Sequence, residues 1–264
     1  MNSKKNTVQV CLTNKCNYHC VYCFSPVYLA DQADLDVAIW IKIIKRIIDI
    51  SKKCEITRIN FVGGEPFLSP ALFDVIDLCF RNGIKCALTT NGSLLTEEIA
   101  AKLQGKIEHI GLSIDSINQK TNIMIGRCDC GNCLTYSKVV SISRFLFKHN
   151  IPLKINRVLS TFNCCENPSF LDSIVFGRLK LMEVYINNGI NDNAVSYRLS
   201  RDEFQKAYSL YMDYSPEVET AQTMTDAYYM INSNGDIVMS RNGKIINYGN
   251  ILSMQTDNLI ALWL

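Results

Sequence analysis

The chain has 264 residues, of which 48% are hydrophobic and 20% charged, a composition that suits a globular domain with a full core. Its formal net charge of +2 gives no sign of a polyanion-binding surface, and no stretch approaches the roughly 20 apolar residues of a membrane span. The two lysines near the N-terminus are not followed by the apolar run of a signal peptide. We therefore predict a cytoplasmic protein, a monomer without a membrane anchor, that binds no nucleic acid directly.

Short β-rich runs alternate with longer amphipathic segments along most of the chain. The predicted strands are Thr7–Leu12, Thr57–Val62, Lys85–Thr90, His109–Ser113, Leu153–Leu159 and Leu181–Ile186. The amphipathic segments between them are Asp34–Ser51, Pro70–Arg81, Thr96–Leu103, Thr135–His149 and Asn167–Phe176. This alternation predicts an α/β fold, in which helices cover a parallel sheet and the active site gathers at the carboxyl ends of the strands.

The pattern changes after Ser200. Ser200–Asp213 is typical of a capped helix, with Ser200 as N-cap and Glu203 at the third helical position. Tyr228–Ile231 and Asp236–Ser240 flank an Asn-Gly pair, which predicts a β-hairpin. We therefore predict a core domain over residues 1–199 and a C-terminal extension over residues 200–264 that packs on it.

Three of the twelve cysteines lie in one short segment directly after the first predicted strand. Cys16, Cys20 and Cys23 have the spacing C-x3-C-x2-C, which lets one loop hold three corners of a cubane cluster. Iron–sulfur clusters normally take four cysteines, so three leave one iron open to a ligand from outside the protein. A zinc site is the alternative, but zinc prefers four protein ligands, and His19 lies inside the loop between two cysteines. The pattern favours a [4Fe–4S] cluster.

Two further motifs follow predicted strands. Gly63-Gly64-Glu65-Pro66 follows the second strand, and Thr89-Thr90-Asn91-Gly92 follows the third. Paired glycines let the backbone approach a ligand closely, although each motif could equally be a plain turn. Arg127 lies 14 residues after Ser113, at the end of the fourth strand, and could bind a carboxylate through two N–H groups. Its alternative is a solvated surface cation.

Four cations lie before or within predicted strands, namely Arg58, Lys154, Arg178 and Lys180. Arg178 and Lys180 would face one side of a strand because they are two residues apart. Lys154 interrupts an otherwise apolar strand, where a lysine is rarely buried without a partner. If the strands form one barrel, the four cations could converge on a polyanion such as a triphosphate. The alternative is that each is a solvated surface charge.

The cysteine motif with its aromatic Tyr22, together with the GGEP motif, resembles the signature of radical S-adenosylmethionine (SAM) enzymes. A longer set of segments, between roughly Cys11 and Phe204, resembles the viperin family and its microbial members. These segments are CNYHCVYCF, INFVGGEPFL, TNGSL, LSIDSINQKTNIMIGR, LKINRVLSTFN, RLKLMEVYINNGIN and LSRDEF. The resemblance implies a partial (βα)6 radical SAM barrel, a short C-terminal extension that helps to close a nucleotide site, and a [4Fe–4S] cluster and SAM as cofactors.

The resemblance also implies roles for individual residues. It implies that Cys16, Cys20 and Cys23 hold the cluster and that Tyr228 delivers a final hydrogen atom. Contacts with SAM are implied for Tyr22, Gly63, Gly64, Glu65, Pro66, Asn91, Ser113 and Arg127. Contacts with the nucleotide are implied for Gln9, Arg58, Asn60, Lys154, Asn156, Arg178, Lys180 and Glu219.

The reaction that the resemblance implies is the dehydration of a ribonucleotide. Viperins convert CTP, and in some microbial members UTP or GTP, to the 3′-deoxy-3′,4′-didehydro nucleotide, which terminates chains made by viral or phage polymerases. A radical removes the ribose 4′ hydrogen, the 3′ hydroxyl leaves, and one electron and one proton complete the product. The resemblance thus implies an antiviral or antiphage enzyme that takes a nucleoside triphosphate and is reduced by a flavodoxin- or ferredoxin-type donor.

The chain departs from the family pattern at several places. Ala221 and Gln9 stand where family members usually have asparagine, so we expect contacts with the base or ribose to differ. We expect no membrane anchor like that of animal viperins, and a C-terminal tail somewhat shorter than theirs. Cys128, Cys130 and Cys133 could bind a second metal or form a redox switch, but a cysteine-rich loop without metal is the favoured interpretation.

Two other classes of function remain open at this point. A different radical SAM enzyme, such as a maturase that modifies a peptide or cofactor, would share the cluster but would not need the four converging cations. A non-catalytic iron–sulfur or zinc module would need neither the GGEP motif nor the other motifs assigned to SAM.

Overall fold

The computed structural model of the chain describes residues 6–25, 34–226 and 229–263. The strands are β1 (Thr7–Cys11), β2 (Arg58–Val62), β3 (Lys85–Thr90), β4 (His109–Ser113), β5 (Cys128–Asp129), β6 (Asn132–Cys133), β7 (Leu153–Leu159), β8 (Arg178–Glu183), β9 (Glu217–Glu219), β10 (Met230–Ile231), β11 (Asp236–Arg241) and β12 (Lys244–Asn250). The helices are α1 (Val37–Ser51), α2 (Leu72–Arg81), α3 (Glu97–Leu103), α4 (Gln119–Met124), α5 (Tyr136–Lys148), α6 (Arg201–Ser209), α7 (Ala221–Met224) and α8 (Thr256–Trp263). Within the described ranges, no helix has both the length and the apolar character needed to cross a bilayer.

Six parallel strands form the middle of a ten-stranded sheet, in the order β1-β2-β3-β4-β7-β8. Every neighbouring pair among the six is parallel, and the spatial order follows the order in the chain. Parallel neighbours need crossover connections, and the helices α1, α2, α3 and α5 lie in those connections. The predicted α/β fold with a parallel sheet is confirmed.

The two faces of this sheet differ because side chains alternate along a strand. One face carries apolar residues such as Val10, Phe61 and Ile155, each fully shielded from solvent, and packs against helix residues such as Trp40 and Ile43. The other face carries polar residues such as Gln9, Asn60 and Asn156, which are partly exposed. The helices therefore bury the apolar face, and the polar face lines the interior of the barrel.

Residues after Ser200 add strands at both edges of the same sheet. Strand β9 pairs in parallel with β8, and β10 pairs in parallel with β1. Strands β10, β11 and β12 then continue the sheet in antiparallel pairs. The helix predicted after Ser200 is confirmed as α6, and its capping box joins Ser200 and Glu203. The division into a core over 1–199 and an extension over 200–264 stays a prediction.

Several predicted elements differ in detail from those observed. The sixth strand spans Arg178–Glu183 instead of Leu181–Ile186, because its two cations are paired with β7 rather than lying in a loop. The segment Asn167–Phe176 contains a 3₁₀ turn at Pro168–Ser173 instead of an α-helix. The predicted hairpin is confirmed as β10 and β11. Its predicted first residue, Tyr228, lies outside the described residues.

Candidate active site

The cysteine motif forms a loop directly after β1, at the carboxyl edge of the sheet. Cys16, Cys20 and Cys23 are all partly exposed. The backbone N–H of Cys23 donates to the carbonyl of Cys20 at 3.0 Å, and the N–H of Tyr18 donates to the sulfur of Cys16 at 3.4 Å. The loop is therefore compact, as a segment that presents three thiolates to one cofactor must be.

Two glycines allow other backbone segments to pack directly against this loop. At Gly64, an added Cβ would lie 2.1 Å from the carbonyl oxygen of Lys15, and the backbone N–H of Glu65 donates to that same oxygen at 2.8 Å. At Gly126, an added Cβ would lie 2.1 Å from the carbonyl oxygen of His19, whose own N–H donates to Gly126 at 3.0 Å. No side chain fits at either position. Glycine in the GGEP turn is therefore required by the packing of the cysteine loop.

Glu65 joins the turns that follow β2 and β3. Its carboxylate is fully buried and accepts from the Thr90 hydroxyl at 2.6 Å and from the backbone N–H of Asn91 at 2.8 Å. Burial raises the pKa of Glu65 to about 7, against the lowering effect of these hydrogen bonds. Pro66 begins the short 3₁₀ turn that follows. The carboxylate for which SAM contact was predicted is thus held by donors of the protein itself.

Asn91 connects the turn after β3 to the cysteine loop. Its side-chain N–H donates to the Asn17 side chain at 2.9 Å, and Asn17 in turn donates to the Ser93 hydroxyl at 3.0 Å. Asn91 is almost fully buried. The motifs after the first three strands therefore form one hydrogen-bonded unit around the cysteines.

Arg127 contacts the cysteine loop from the side of β4, the strand that Ser113 ends. Its Nη1 lies 3.3 Å from the sulfur of Cys20, and its Nε lies 3.0 Å from Oδ2 of Asp115. Its Nη2 is buried and has no hydrogen-bond partner among the described residues. An unpartnered guanidinium N–H beside a cluster cysteine suits an anionic ligand such as a carboxylate. Asp115 was not among the predicted site residues, although it belongs to the SIDS segment.

Tyr22 has a different environment from the other residues predicted to contact SAM. Its ring is buried in a small apolar cluster with Ile125, Val184 and Ala194. Burial, followed by the charge of Asp115, raises the pKa of its phenol well above the usual value. The ring therefore anchors the cysteine loop to the end of β8.

Polar side chains line the inner face of the sheet below the cysteine loop. The amide of Asn60 donates to Gln9 at 2.6 Å and lies 3.3 Å from the Thr89 hydroxyl. Asn156 extends over Gly111, where an added Cβ would lie 2.7 Å from its amide nitrogen. Gly111 thus leaves room for the Asn156 side chain. The predicted residues Gln9, Asn60 and Asn156 therefore lie on one surface.

The four predicted cations lie on the same inner face, nearer the amino ends of the strands. Lys154 and Arg178 are directly paired across β7 and β8. The side chain of His109 lies among them. Its pKa is lowered to about 4, first by burial and then by the charges of Arg178 and Arg58. Burial, followed by the charge of Lys180, lowers the pKa of Lys154 to about 8. The structure therefore brings the predicted cations together, and it adds His109, which the sequence did not single out.

Three carboxylates pair with these cations. Glu108 contacts Arg58, and Glu219 lies 2.9 Å from Lys180. Glu217 lies 3.5 Å from Lys154 and 3.1 Å from Arg178. The side chain of Glu217 is half exposed, so it can leave its partners at little cost, whereas Glu219 is buried. Glu219 was predicted from the family resemblance, and Glu108 and Glu217 were not.

A small cavity connects the cysteine loop with the strands added after Ser200. Its lining includes Phe24, Glu219, Met224, Met230 and Met239. Tyr228, the predicted hydrogen donor, lies outside the described residues, and the ring of its neighbour Tyr229 packs on Trp263 with centroids 5.0 Å apart.

The chemistry of the three thiols fits an iron–sulfur cluster. Burial raises the pKa of Cys16 to about 11, and burial also raises the pKa of Cys20. Thiolates at these positions need compensating positive charge, which cluster iron supplies and to which Arg127 adds. No three potential metal ligands in the described ranges are grouped closely enough to hold a single metal ion. Thiolate sulfurs are also the ligands that iron–sulfur clusters take.

Comparison with known proteins agrees with this geometry. Residues 10–159 match the family model described as Radical SAM superfamily, and the chain belongs to this superfamily. It is therefore a radical SAM enzyme whose cofactors are SAM and a [4Fe–4S] cluster. Over 96% of its length it is similar to the solved structure of native anSMEcpe with bound AdoMet, with a TM-score of 0.71 and 20% sequence identity, covering 79% of that chain. The predicted radical SAM fold is confirmed.

Similar curated proteins indicate which family of the superfamily the chain resembles. The chain is 29% identical over 241 residues to the S-adenosylmethionine-dependent nucleotide dehydratase of Selenomonas ruminantium, covering 88% of this chain and 85% of that protein. It is 27% identical over 254 residues to the protein of the same name from Flammeovirga pacifica, covering 92% and 85%. These relatives confirm the predicted resemblance to the viperin family.

Proposed function

We propose that this enzyme is a nucleotide dehydratase whose substrate is a ribonucleoside triphosphate. The observation that carries the proposal is the convergence of Lys154, Arg178 and neighbouring cations around His109, on the inner face of the sheet. Lys154 is only 8% exposed, and burial lowers its pKa to about 8, so its charge is held inside the barrel at a cost in solvation. A triphosphate carries several negative charges and would repay that cost, whereas a peptide substrate would not require it.

The order of groups along the strands suits a nucleotide. On each of three strands, a cation lies two residues nearer the amino end than a second polar residue. The pairs are Arg58 and Asn60 on β2, Lys154 and Asn156 on β7, and Arg178 and Lys180 on β8. Two residues span about 7 Å along a strand. The cysteine loop lies beyond the other, carboxyl end of β1. A triphosphate bound among the cations would therefore place its ribose near the amides and facing the cysteine loop.

The residues of the chain would divide the work of the reaction as follows. Cys16, Cys20 and Cys23 would hold three irons of the cluster, and Arg127 with Ser113 would bind the carboxylate of SAM. When bound, the cluster and SAM together supply the radical that removes the ribose 4′ hydrogen. The chain itself neutralises the triphosphate, orients the ribose and excludes water from the inner face of the sheet.

Loss of the 3′ hydroxyl as water, with one electron and one proton, would give the 3′-deoxy-3′,4′-didehydro nucleotide, and Tyr228 is proposed to supply that electron and proton together as a hydrogen atom. CTP is the first candidate substrate. UTP and GTP remain candidates because Gln9 and Ala221 replace residues of the family pattern near the nucleotide, so contacts with the base can differ. A nucleotide without a 3′ hydroxyl cannot be extended by a polymerase, which supports an antiviral or antiphage role. A flavodoxin- or ferredoxin-type protein would supply the electrons.

The test uses the reconstituted enzyme under anaerobic conditions. SAM and dithionite are added with CTP, UTP, GTP, ATP or no nucleotide, and 5′-deoxyadenosine is measured together with the mass of the nucleotide. We expect one nucleotide to stimulate SAM cleavage and to yield a product lighter by one water. Slow cleavage that no nucleotide stimulates would overturn the proposal and direct the search to peptides or other small molecules.

A variant pair ties the result to the cationic site. Lys154→Ala removes the buried ammonium group, and Lys148→Ala removes an exposed one that pairs with Glu97 at 2.6 Å on the protein surface. Losing a charged hydrogen-bond partner costs about 1.5–3 kcal/mol, or a factor of about 10 to 100 in affinity. We expect Lys154→Ala to raise the KM for the nucleotide by that factor while leaving SAM cleavage without nucleotide unchanged. Lys148→Ala should behave like the wild type.

A further inference from the structure

A two-stranded hairpin next to Arg127 holds two cysteines directly opposite each other. Strands β5 and β6 pair in antiparallel fashion, with Cys128 opposite Cys133 and Asp129 opposite Asn132. The two residues of the turn, Cys130 and Gly131, both have positive φ angles of 46° and 86°, as a tight two-residue hairpin turn requires. Asp129 and Asn132 therefore close the turn as a hydrogen-bonded pair, and the two cysteines form the next, non-hydrogen-bonded pair.

This position has the geometry of a disulfide. In non-hydrogen-bonded antiparallel pairs the two Cα atoms lie about 4.5 Å apart and the side chains are close, which is within the range of about 4.4–6.8 Å found in disulfides. The thiol of Cys133 lies 3.8 Å from the carbonyl oxygens of Gln119 and Gly131, and contacts of this length are weak enough to let its side chain rotate toward Cys128. Both residues are partly exposed, so a small oxidant can reach them. Oxidation would need only a rotation of the two side chains.

We propose that Cys128 and Cys133 form a reversible dithiol–disulfide pair whose state sets the position of Arg127. A low-molecular-weight disulfide is the oxidant: one thiolate attacks it and releases its first half, and the second thiolate attacks the resulting mixed disulfide at the protein sulfur and releases the second half. The Cys128–Cys133 bond forms, the bond of the oxidant breaks, and its two halves leave as thiols with the two protons. Disulfides inside cells are usually transient: the two thiols are reduced under ordinary conditions and become oxidised under stress.

The connection to the active site runs through adjacent backbone. Arg127 immediately precedes Cys128 and donates to the sulfur of Cys20 at 3.3 Å. Gly126, one residue earlier, is in backbone contact with His19 of the cysteine loop. A new covalent bond at the base of the hairpin fixes the twist of the two strands where Arg127 leaves them. The guanidinium group, which contacts Cys20 of the cysteine loop and is proposed to bind SAM, would shift with it.

The test measures the disulfide first. Cluster-loaded protein is equilibrated without oxygen in buffers with graded ratios of reduced to oxidised glutathione, alkylated and digested. We expect the peptide that carries residues 128 and 133 to lose two hydrogens of mass and to escape alkylation at both positions, reversibly on reduction. Cys130→Ser should keep this behaviour, whereas Cys128→Ser and Cys133→Ser should lose it. Separate alkylation of both cysteines at every ratio that oxidises a reference dithiol would overturn the proposal.

The second measurement addresses Arg127. SAM affinity is compared between the reduced and oxidised forms, with cluster absorbance recorded to establish equal loading. We expect a change of about fivefold or more in the wild type and in Cys130→Ser, and none in Cys128→Ser. A disulfide that forms and leaves SAM affinity unchanged would remove the proposed control of Arg127. Both readouts are independent of nucleotide turnover, so they do not depend on the proposed substrate.

Discussion

Arg127 lies 3.3 Å from the sulfur of Cys20, so the cation assigned to SAM also contacts a cysteine of the cluster loop. The contact is maintained by Asp115, whose Oδ2 lies 3.0 Å from Nε of the arginine. The other carboxylate oxygen of Asp115 accepts from the backbone N–H of Val158 on β7 at 2.8 Å. Asp115 therefore ties the arginine to the rigid sheet and sets where its remaining N–H groups point.

Replacing Asp115 with asparagine should weaken SAM binding without removing the cluster. The substitution keeps the shape of the side chain but takes away the charge that holds the buried guanidinium group. We expect the Kd for SAM to rise by about tenfold, or about 1.4 kcal/mol, with iron content unchanged. Asp129→Asn, on the exposed hairpin nearby, is the matched control. Equal SAM affinity in the two variants would show that Arg127 does not need Asp115 as its positioning residue.

The close approach of the GGEP turn to the cysteine loop makes a second prediction. An alanine at position 64 would place its Cβ 2.1 Å from the carbonyl oxygen of Lys15, and neither backbone segment can move away without displacing Cys16. We expect Gly64→Ala to fold but to take up less iron and sulfide on reconstitution. Gly177→Ala is the control, because the nearest atom to its added Cβ is 3.9 Å away. Full cluster loading of Gly64→Ala would contradict this account.

Much of the site was predictable because local spacing determines it. The C-x3-C-x2-C loop and the motifs after β2 and β3 lie at the carboxyl edge of a parallel sheet, where the alternation of strands and helices predicts an active site. The two-residue spacing of Arg178 and Lys180 placed both on one face of a strand, and the structure has them on β8.

The features that the sequence did not reveal depend on contacts between distant segments. His109 appears in the sequence only as the first residue of a strand, and its position among the cations follows from the neighbours of β4 in the sheet. Glu217 lies on a three-residue strand too short for a period-two pattern to be recognised. The boundary of β8 was misplaced because the alternation of Arg178, Leu179, Lys180 and Leu181 resembles an exposed segment until β7 supplies its partner.

The histidine among the cations should make stability depend on pH in a particular window. Burial and the nearby arginines lower the pKa of His109 to about 4, from an ordinary value near 6.5. The folded state therefore favours the neutral ring: this stabilisation is complete above about pH 6.5 and is lost as the pH falls toward about 4. Between about pH 7 and pH 5 the wild type should lose about 2 kcal/mol that His109→Gln does not lose. Urea unfolding at the two pH values measures the difference, with His149→Gln as control, and parallel losses in all three proteins would contradict it.

A buried arginine on β7 gives a prediction about stability alone. Arg157 has no exposed surface, lies 2.8 Å from Glu166, and stacks between the rings of Phe170 and Tyr211 with its guanidinium carbon 5.2 and 5.5 Å from their centroids. Removing Arg157 should cost about 3–5 kcal/mol, because a cavity is left and the Glu166 carboxylate, whose side chain is 21% exposed, stays partly buried without its partner. We expect Arg157→Ala to lower the free energy of unfolding by that amount, and Arg157→Met, which fills the space but not the charge, to lower it less. Arg144→Ala, on the solvent side of α5, should change it by under about 0.5 kcal/mol. Urea unfolding of the four proteins separates the contributions of volume and charge: equal losses for Ala and Met would assign the whole effect to the ion pair with Glu166.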